Sequence, residues 1–592
     1  MVVAMVFHLV YLNNMKKLII IPFLLISLLL SGATYYVSTT GNNGGAGTIG
    51  APWLTWKYAF AQADPGDTVF FRGGIYNATS TSDLGIAPVT GTVGNTICFF
   101  NYPGEEPILD CSGVTTTTYI NAIRLYIDKD YIEIKGLTIR DLKQAGDHTI
   151  CGFSIERCDH VYITNCKAYN VDGVGFGVYG CDEVYVKNCD SYDLCNYLDA
   201  DPGQDGVGFQ WNQSIINYGS GMYDAHIYFE GCRTWNFSDN GFASLGESYV
   251  EIKNCWAFNG GKLYGEGCAF KYGLGSYGST VNPLSRYIIN CIAADNGNFG
   301  FSPNNNSGSV FNGQYYNNFS YHNGYKSDIL SEWYWWFGNG FVIPNYYGST
   351  PAPNEMYANN IAFDNDYLDV YIVDNYTHQY NSWDQSVTVS AADFVSLDTA
   401  QLRWPRKAWN DPDDPYGLPD ITFGTLVESS DLIGAGVNVG TTYDGAGNAW
   451  NDPPSLGPFE FAFPEEPAAP QVNTAAVIIT SPTTVTVGGN TITDGGSAIT
   501  AKGVYWATHS NPTVADNVIA CGSGSANYTT SITGLVSGVT YYVKAYVTNA
   551  VGPGYGSDEE WEMPPDAPVG IGGPVGQGGK LIMHLGKIMA VP

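Results

Sequence analysis

The sequence predicts an all-β fold, a right-handed parallel β-helix, and three observations lead to that prediction. A unit the length of one coil recurs along the middle of the chain, as expected for stacked structural repeats. Gly occurs 71 times and Tyr 43 times, which suits many strands and turns because Gly tolerates positive φ and Tyr favours strands. With 592 residues, the chain is also too long for one ordinary globular core, which favours an elongated repeat.

The repeat is clearest in two adjacent copies. Residues 152–166 read GFSIERCDHVYITNC, and 23 positions later residues 175–189 read GFGVYGCDEVYVKNC. Later copies keep one Cys at the same point of each coil, giving the column Cys166, Cys189, Cys232, Cys255 and Cys291. We interpret this column as a ladder of small buried hydrophobic side chains rather than as disulfides. Asn precedes four of these Cys and suits a left-handed turn with side-chain bonds to the next coil: Asn165, Asn188, Asn254 and Asn290.

A second column places Phe at the start of one strand in each coil: Phe153, Phe176, Phe209, Phe242, Phe270 and Phe301. Because side chains alternate along a strand, an inward Phe predicts that the next residue points outward. That outward column is Ser154, Gly177, Gln210, Ala243, Lys271 and Ser302. Lys271 is its one charged member. A lone lysine on a strand is usually only solvated, so its interest depends on its neighbours.

Acidic residues precede the Phe column in neighbouring coils. Asp172 and Asp205 each open a DGVGF segment, and Asp239 with Asn240 precedes the next Phe. We expect these side chains to gather at one turn near Lys271. Oxygen ligands without Cys or His favour a hard cation such as Ca²⁺. The alternative is a solvated acidic turn that holds no ion.

The charge balance restricts the partners. Asp plus Glu number 56 against 25 for Lys plus Arg, a formal net charge of −31. This charge argues against nucleic acid as a partner. The chain would also repel an acidic polysaccharide unless a local basic group or a bridging divalent cation reverses the field at the site.

The N-terminal segment has the pattern of an export signal. Met15-Lys16-Lys17 begins a basic region, residues 18–30 are apolar, and Ser31-Gly32-Ala33 reads as a small-residue cleavage site. We assign residues 1–33 to an N-terminal extension and signal peptide, and we expect a secreted, extracellular or cell-surface protein. A membrane anchor is the alternative, but the apolar run is short and we expect no stable membrane span.

The composition changes after residue 463. Residues 464–470 read PEEPAAP, a Pro-rich linker. Over residues 471–563 short alternating strands follow, and the run GLVSGVTYYVKAYVTNAVG resembles the fibronectin type III-like modules of secreted bacterial glycan enzymes. This resemblance implies a C-terminal fibronectin III-like β-sandwich, a spacer or attachment unit, with Tyr542 as its corner tyrosine. We expect Cys521 to be a free buried thiol, and residues 564–592 form a Gly/Pro-rich tail.

Longer segments carry a family resemblance. They are YYVSTTGNNGGAGTIGAPW near the start, GFSPNNNSG (300–308), NSWDQSVTVSAADFVSLD (381–398) and SSDLIGAGVNVG (429–440). With them, the chain from residue 34 to about 463 resembles polysaccharide lyase family 9, the calcium-dependent pectate lyases and exopolygalacturonate lyases on a pectin lyase-like β-helix. The resemblance implies Ca²⁺ as cofactor and an acidic polysaccharide, polygalacturonate or a related uronan, as partner. We expect a monomer.

The same resemblance implies roles for single residues. The family's general base lies in a Gly-Phe-Lys segment, which corresponds to Lys271 in CAFKYG. Its calcium ligands correspond to Asp205 in DGVGF and to Asp239 and Asn240 in SDNGFAS. Asn240 and Ala243 replace carboxylates of the family pattern, and DGVGF is two residues longer than the family segment.

Another carboxylate, Glu247 or Asp172, is therefore a candidate to replace the missing ligands. The implied reaction is cleavage of 4-linked galacturonan by β-elimination, in which a cation on the C6 carboxylate stabilises the developing negative charge and Lys271 removes the C5 proton. Hydrolysis would need a pair of acidic residues, and the signature set of the family 28 polygalacturonases is not found. The alternative to a lyase is a non-catalytic glycan-binding receptor or adhesin with a degraded calcium site, in which Trp333-Tyr334-Trp335-Trp336 would stack on sugars.

Overall fold

Parallel strands stack into three long sheets, which we call sheet 1, sheet 2 and sheet 3. The structure is a computed structural model that describes residues 32–146, 149–198, 202–212, 226–244, 249–262, 264–273, 284–303, 311–325, 338–343, 356–372, 377–407, 417–463 and 467–565. The signal segment predicted at residues 1–33 lies almost wholly outside the described residues. In the ranges described, no helix is long and apolar enough to cross a membrane.

The strands of each sheet pair in the order of the sequence. Sheet 1 consists of β1 (Thr34–Val37), β2 (Thr68–Phe71), β4 (Ile97–Asn101), β8 (Ile132–Lys135), β12 (Asp159–Thr164), β15 (Asp182–Lys187), β18 (His226–Glu230), β21 (Tyr249–Lys253), β24 (Leu284–Ile289), β27 (Phe311–Tyr316), β30 (Met356–Ala358) and β33 (Thr377–Gln379). Sheet 2 consists of β7 (Ile123–Tyr126), β11 (Cys151–Glu156), β14 (Val174–Tyr179), β17 (Phe209–Asn212), β20 (Asn240–Ser244), β23 (Cys268–Lys271), β26 (Phe301–Ser302), β29 (Asn339–Ile343) and β32 (Leu368–Ile372). Sheet 3 consists of β3 (Gly74–Asn77), β5 (Pro107–Asp110), β9 (Thr138–Arg140), β13 (Lys167–Val171), β16 (Asp190–Leu194), β19 (Arg233–Phe237), β22 (Trp256–Phe258), β25 (Ile292–Ala294), β28 (Phe319–Tyr321) and β31 (Ile361–Phe363).

One coil passes through sheet 2, sheet 1 and sheet 3 in turn, as β14, β15 and β16 do. The next copy of the repeat lies directly above, with parallel pairing in all three sheets. A further parallel pair outside the three sheets joins β6 (Thr115–Thr116) to β10 (Lys143–Gln144). The predicted parallel β-helix is therefore confirmed.

The two repeat columns fill the interior as predicted. The rings of Phe153, Phe176, Phe209, Phe242, Phe270, Phe301 and Phe341 stack coil on coil, with centroids 4.6–5.1 Å apart. The thirteen cysteines, all within described residues, are free thiols, and those of the predicted column are buried. The sulfur of Cys189 accepts a hydrogen bond from the backbone amide of Cys166 at 3.4 Å. The thiols of the column therefore stack from coil to coil and are not joined by disulfides.

Asparagines form the turn between sheets 1 and 3. Asn290 has a positive φ of 56°, the left-handed conformation that Asn tolerates better than most residues. The Asn317 amide donates to Asn290 at 3.2 Å, and the Asn359 amide donates to Asn317 at 3.0 Å. The expected ladder of side-chain bonds between coils is thus present in this part of the stack.

Two further segments cover the β-helix. The helix α1 (Trp56–Gln62) starts at Thr55, whose hydroxyl accepts from the Tyr58 amide, and it packs Phe60 against Phe99 in the first coils. A covering segment, described over residues 391–407 and 417–459, forms an apolar cluster with sheet 3, in which Phe394 stacks on Phe319. That covering segment contains the 3₁₀ helices Ala391–Asp393 and Thr399–Arg403, and another 3₁₀ helix is Thr81–Asp83.

The chain divides between Ala462 and Phe463, and the second unit is a pair of antiparallel sheets. One holds β34 (Gln471–Thr474), β35 (Ile478–Ser481), β36 (Thr484–Thr493) and β39 (Tyr528–Thr533), and the other holds β37 (Ala501–Ala507), β38 (Asn517–Ala520), β40 (Thr540–Thr548) and β41 (Pro553–Glu562). This arrangement is consistent with a fibronectin III-like β-sandwich.

The corner tyrosine is Tyr541, and the prediction of Tyr542 was wrong by one position. The backbone amide of Val536 donates to the hydroxyl of Tyr541 at 3.0 Å, and the Tyr541 ring is buried in the core of the sandwich. Tyr542 is half-buried, and its register partners on the neighbouring strands are Ala507 and Glu560. Because strand side chains alternate, only one of two adjacent tyrosines can point into the core. Cys521 is a free thiol but only half-buried.

Candidate functional site

The outward column predicted from the repeat is one continuous line of register partners on sheet 2. Adjacent strands pair each predicted member with the next, in the order Ser154, Gly177, Gln210, Ala243, Lys271 and Ser302. Arg124, which the prediction did not include, extends the line by one coil as the register partner of Ser154. Lys271 lies at the end of β23, between Phe270 and Tyr272, which are both in the interior core. The Lys271 side chain therefore points away from the core, and 15% of it is exposed.

Lys271 forms an ion pair within its own coil. Its Nζ lies 2.5 Å from Oε2 of Glu266, a residue in the turn that leads into β23. Burial opposes the charge on the ammonium group, but the negative charges of Glu266 and Asp239 outweigh that effect and raise the pKa of Lys271 above its usual value. The amine is thus held in its protonated form by the carboxylates around it.

Asp239 and Asn240 lie one coil earlier, where β20 begins. Asn240 is the register partner of Cys268, and the Asp239 carbonyl accepts from the Gly267 amide at 2.7 Å. Both side chains are buried, and within the described residues Oδ1 of Asp239 and Oδ1 of Asn240 have no hydrogen-bond partner. Burial, followed by the charge of Glu266, raises the pKa of Asp239 to about 7, and Lys271 partly offsets this rise.

Asp205 belongs to the turn before β17. Its φ is 62°, and its Oδ2 accepts from the hydroxyl of Thr149 at 2.8 Å. The backbone amide of Asp239 donates to the carbonyl of Gly206 at 3.1 Å, which ties the two turns together. The charge of Asp205 contributes to the raised pKa of Asp239, so the carboxyls of Asp205, Asp239 and Glu266 and the amine of Lys271 share one electrostatic neighbourhood.

Asp172 does not take the position expected for it. Its carboxylate accepts from Lys143 Nζ at 2.8 Å and from the Gln144 amide at 3.3 Å, and it lines a cavity on the side of sheet 3. Glu247 and Trp333-Tyr334-Trp335-Trp336 lie outside the described residues. The carboxylate that the structure adds is Glu266, which sequence reasoning missed although it lies four residues before Phe270, the spacing that Asp172 and Asp205 have before Phe176 and Phe209.

The donor chemistry of this cluster fits a hard cation. Asp205, Asp239 and Glu266 offer carboxylate oxygens, Asn240 offers an amide oxygen, and buried oxygens without partners are costly unless a ligand satisfies them. The spacing of these carboxylates is less favourable. Among the described residues, Asp182, Glu183 and His226 form the one group of three ligand side chains whose ligand atoms lie within 4.8 Å of one another, and they lie on a different turn.

The sequence model described as "Pel9A-like, right handed beta helix region" matches residues 35–333, half of the chain. The chain belongs to the Pel9A-like β-helix family. Similar proteins include "Pectate lyase L" of Dickeya dadantii, 27% identical over 461 residues that cover 72% of this chain and 90% of that protein. "Pectate lyase PEL9" of Emericella nidulans is 26% identical over 412 residues, 64% of this chain and 89% of that protein. This Pel9A-like chain therefore has polysaccharide lyases as relatives.

Solved structures support the fold of this Pel9A-like protein. One titled "Rhamnogalacturonan lyase" superposes with a TM-score of 0.55 at 22% identity, over 67% of this chain and 97% of that one. The crystal structure of pectate lyase Pel9A gives a TM-score of 0.52 at 24% identity, over 73% of this chain and 96% of that one. At these identities the likeness concerns the β-helix alone.

Proposed function

We propose that this protein is a secreted polysaccharide lyase that cleaves 4-linked galacturonan by calcium-assisted β-elimination, with Lys271 as general base. The observation that supports the proposal most is the pairing of β20 with β23, which brings Lys271 beside the coil of Asp239 and Asn240. The family relatives named as pectate lyases support the substrate class.

In this proposal Asp205, Asp239, Asn240 and Glu266 would hold Ca²⁺ through their side-chain oxygens. When bound, the ion would neutralise the C6 carboxylate of the substrate and make the C5 proton more acidic. Lys271 Nζ accepts that proton, and the electron pair left at C5 forms the C4–C5 double bond as the C4–O4 bond of the same sugar breaks. The glycosidic oxygen leaves on C1 of the neighbouring sugar and takes a proton from water to become its new reducing-end hydroxyl. Lys271 must be an uncharged amine to act, so Glu266 has to release it and alkaline pH favours the reaction.

A uronan panel tests the reaction class. Purified protein is incubated with polygalacturonate, pectin, rhamnogalacturonan and alginate in calcium-containing alkaline buffer, and both ultraviolet absorbance of unsaturated uronate and new reducing ends are measured. The proposal expects both signals to rise together on polygalacturonate and to disappear with EDTA. Reducing ends without unsaturated product would indicate hydrolysis and contradict it.

Non-catalytic glycan binding is the second candidate, and Ala243 is the observation that favours it. Its methyl side chain is the register partner of Lys271. Polysaccharide lyase family 9, which the sequence resembles, has a carboxylate at this position. Calorimetry with polygalacturonate oligomers in excess calcium separates the two functions. Binding without any product would support the receptor, and turnover would support the lyase.

A further inference from the structure

A cavity of about 640 Å³ opens on the side of sheet 3, separate from the Lys271 column. It is lined where β13, β16 and β19 end and by the turns that follow them. Its volume lies in the range of about 300–1,000 Å³ that is usual for small-molecule sites. The proposed lyase reaction does not use this cavity.

One wall presents polar groups at regular intervals. Asn170, Asp193, Asn236 and Asn259 all have positive φ, between 53° and 56°, at equivalent points of successive coils. The Asn236 amide donates to Asp193 at 2.6 Å, and the Asn259 amide donates to Asn236 at 2.6 Å. These bonds fix a row of amide and carboxylate groups along the cavity.

Two tyrosines also line the cavity. Tyr197 and Tyr264 meet edge to face with ring centroids 5.7 Å apart. Their side chains are open to solvent, with 59% of Tyr197 and 38% of Tyr264 exposed, while Leu194 and Phe237 form a buried apolar floor. Aromatic rings next to polar groups suit a sugar ring, whose C–H face packs on an aromatic surface while its hydroxyls bond to the polar groups.

The charges of the residues that line the cavity indicate which kind of sugar it would bind. Two lysines line the cavity, but Lys143 is paired with Asp172 at 2.8 Å and Lys262 with Asp295 at 2.9 Å. Asp193 adds a further negative charge to the wall. The described residues that line the cavity therefore carry no surplus positive charge to attract a uronate, within a chain whose formal net charge is −31.

We propose that this cavity binds a neutral sugar through its hydroxyl groups, as a glycan site distinct from the proposed lyase site. The two sites are neighbours. Ser238 lines the cavity and donates to the carbonyl of Gly203 at 2.6 Å, and the next residue, Asp239, belongs to the proposed calcium site. A polysaccharide with an acidic backbone and neutral side branches would reach both sites, and this last point alone rests on the proposed function.

The test measures binding to the full chain in EDTA by calorimetry and saturation-transfer NMR. The probes are β-1,4-galactotetraose, α-1,5-arabinotetraose and cellotetraose, with tetragalacturonate as the acidic comparison. We expect at least one neutral probe to bind and Tyr197→Ala or Tyr264→Ala to weaken it about tenfold. Tyr367→Ala is the matched control, because Tyr367 is equally exposed, at 58%, outside the cavity.

Lys271→Ala should leave binding of the neutral sugar unchanged, which separates this proposal from the lyase proposal. No binding of any neutral probe would overturn it. So would binding that is insensitive to both tyrosine variants in protein with an unaltered melting curve, or a preference of the cavity for tetragalacturonate. Binding of free neutral tetrasaccharides but not of a branched pectin would restrict the ligand to released oligosaccharides.

Discussion

Ala243 of β20 is the register partner of Lys271 of β23, so a methyl group lies one coil from the candidate base. Restoring a carboxylate there should strengthen calcium binding, since the number of charged ligands tunes the affinity of such sites. We expect Ala243→Asp to lower the calorimetric Kd for Ca²⁺ about tenfold or more. Ser302→Asp is the matched control, because Ser302 is the other register partner of Lys271 and lies away from the Asp239 coil. Equal effects of the two variants would contradict the assignment of the site.

We assign two roles to Glu266. It is the ion-pair partner of Lys271, and it is a proposed oxygen ligand of Ca²⁺. Its charge raises the pKa of Lys271, so Glu266→Gln should lower that pKa and move the alkaline activation of kcat/KM to lower pH. The same variant should weaken Ca²⁺ binding. Glu251→Gln, which removes a comparable ion pair with Lys253 at 2.7 Å on sheet 1, should change neither. A pH profile that stays in place would exclude the ion pair from the reaction.

Asp239 makes the stability of the β-helix depend on pH. Its pKa in the folded chain is about 7, chiefly because of burial and the charge of Glu266, whereas an unfolded Asp titrates near about 4. The neutral carboxyl therefore stabilises the fold fully below about pH 4, and this contribution is lost as the pH rises towards about 7. In EDTA at pH 8, we expect Asp239→Asn to be more stable than the parent, by an amount on the order of 1 kcal/mol or more.

Thermal unfolding followed by circular dichroism measures that difference. Calcium should reverse the order, because it binds more tightly to the chain that retains the Asp239 carboxylate and so stabilises that chain more. If the difference in stability between Asp239→Asn and the parent is the same at pH 4 and pH 8 in EDTA, Asp239 does not make the stability of the β-helix depend on pH.

Asp190 fastens the covering segment to sheet 3. Its carboxylate accepts from Arg233 at 2.8 and 2.9 Å and from Arg406 at 2.8 and 3.0 Å. Although burial opposes its charge, the two guanidinium groups hold the pKa of Asp190 well below its usual range. This stabilisation is present above about pH 4 and is lost as the pH falls towards the lowered pKa.

Asp190→Asn should therefore cost about 3–5 kcal/mol of stability at pH 7, as expected when a buried ion pair loses one partner. Glu105→Gln is the control, because its pair with Arg72 is more exposed and should cost less than about 1 kcal/mol. Denaturant unfolding compares the two. Equal losses would show that Asp190 does not anchor the segment.

The repeat made the fold predictable, while the candidate site was predictable only in part. A period of one coil specifies which residues stack, so the Phe and Cys columns and the outward direction of Lys271 followed from alternation along a strand. Glu266 lies four residues before Phe270, as Asp205 does before Phe209, but only the tertiary structure shows its ion pair with Lys271. Asp172 was misplaced because its DGVGF segment matches that of Asp205, yet Lys143 captures its carboxylate.

The choice between Tyr541 and Tyr542 shows the same limit on a smaller scale. Both lie in one apolar run, and a shift of one residue exchanges the buried and exposed faces of a strand. The hydrogen bond to Val536 selects Tyr541, which shares a face of β40 with the buried Val543, Ala545 and Val547.

The rate of Lys271→Ala on polygalacturonate tests the central claim most directly. With saturating calcium at alkaline pH, the parent should release unsaturated uronate, and the variant should be slower by about 10²–10⁴-fold while binding Ca²⁺ and keeping its melting temperature. A parent that forms no unsaturated product, or a variant that retains the full rate, would contradict the account.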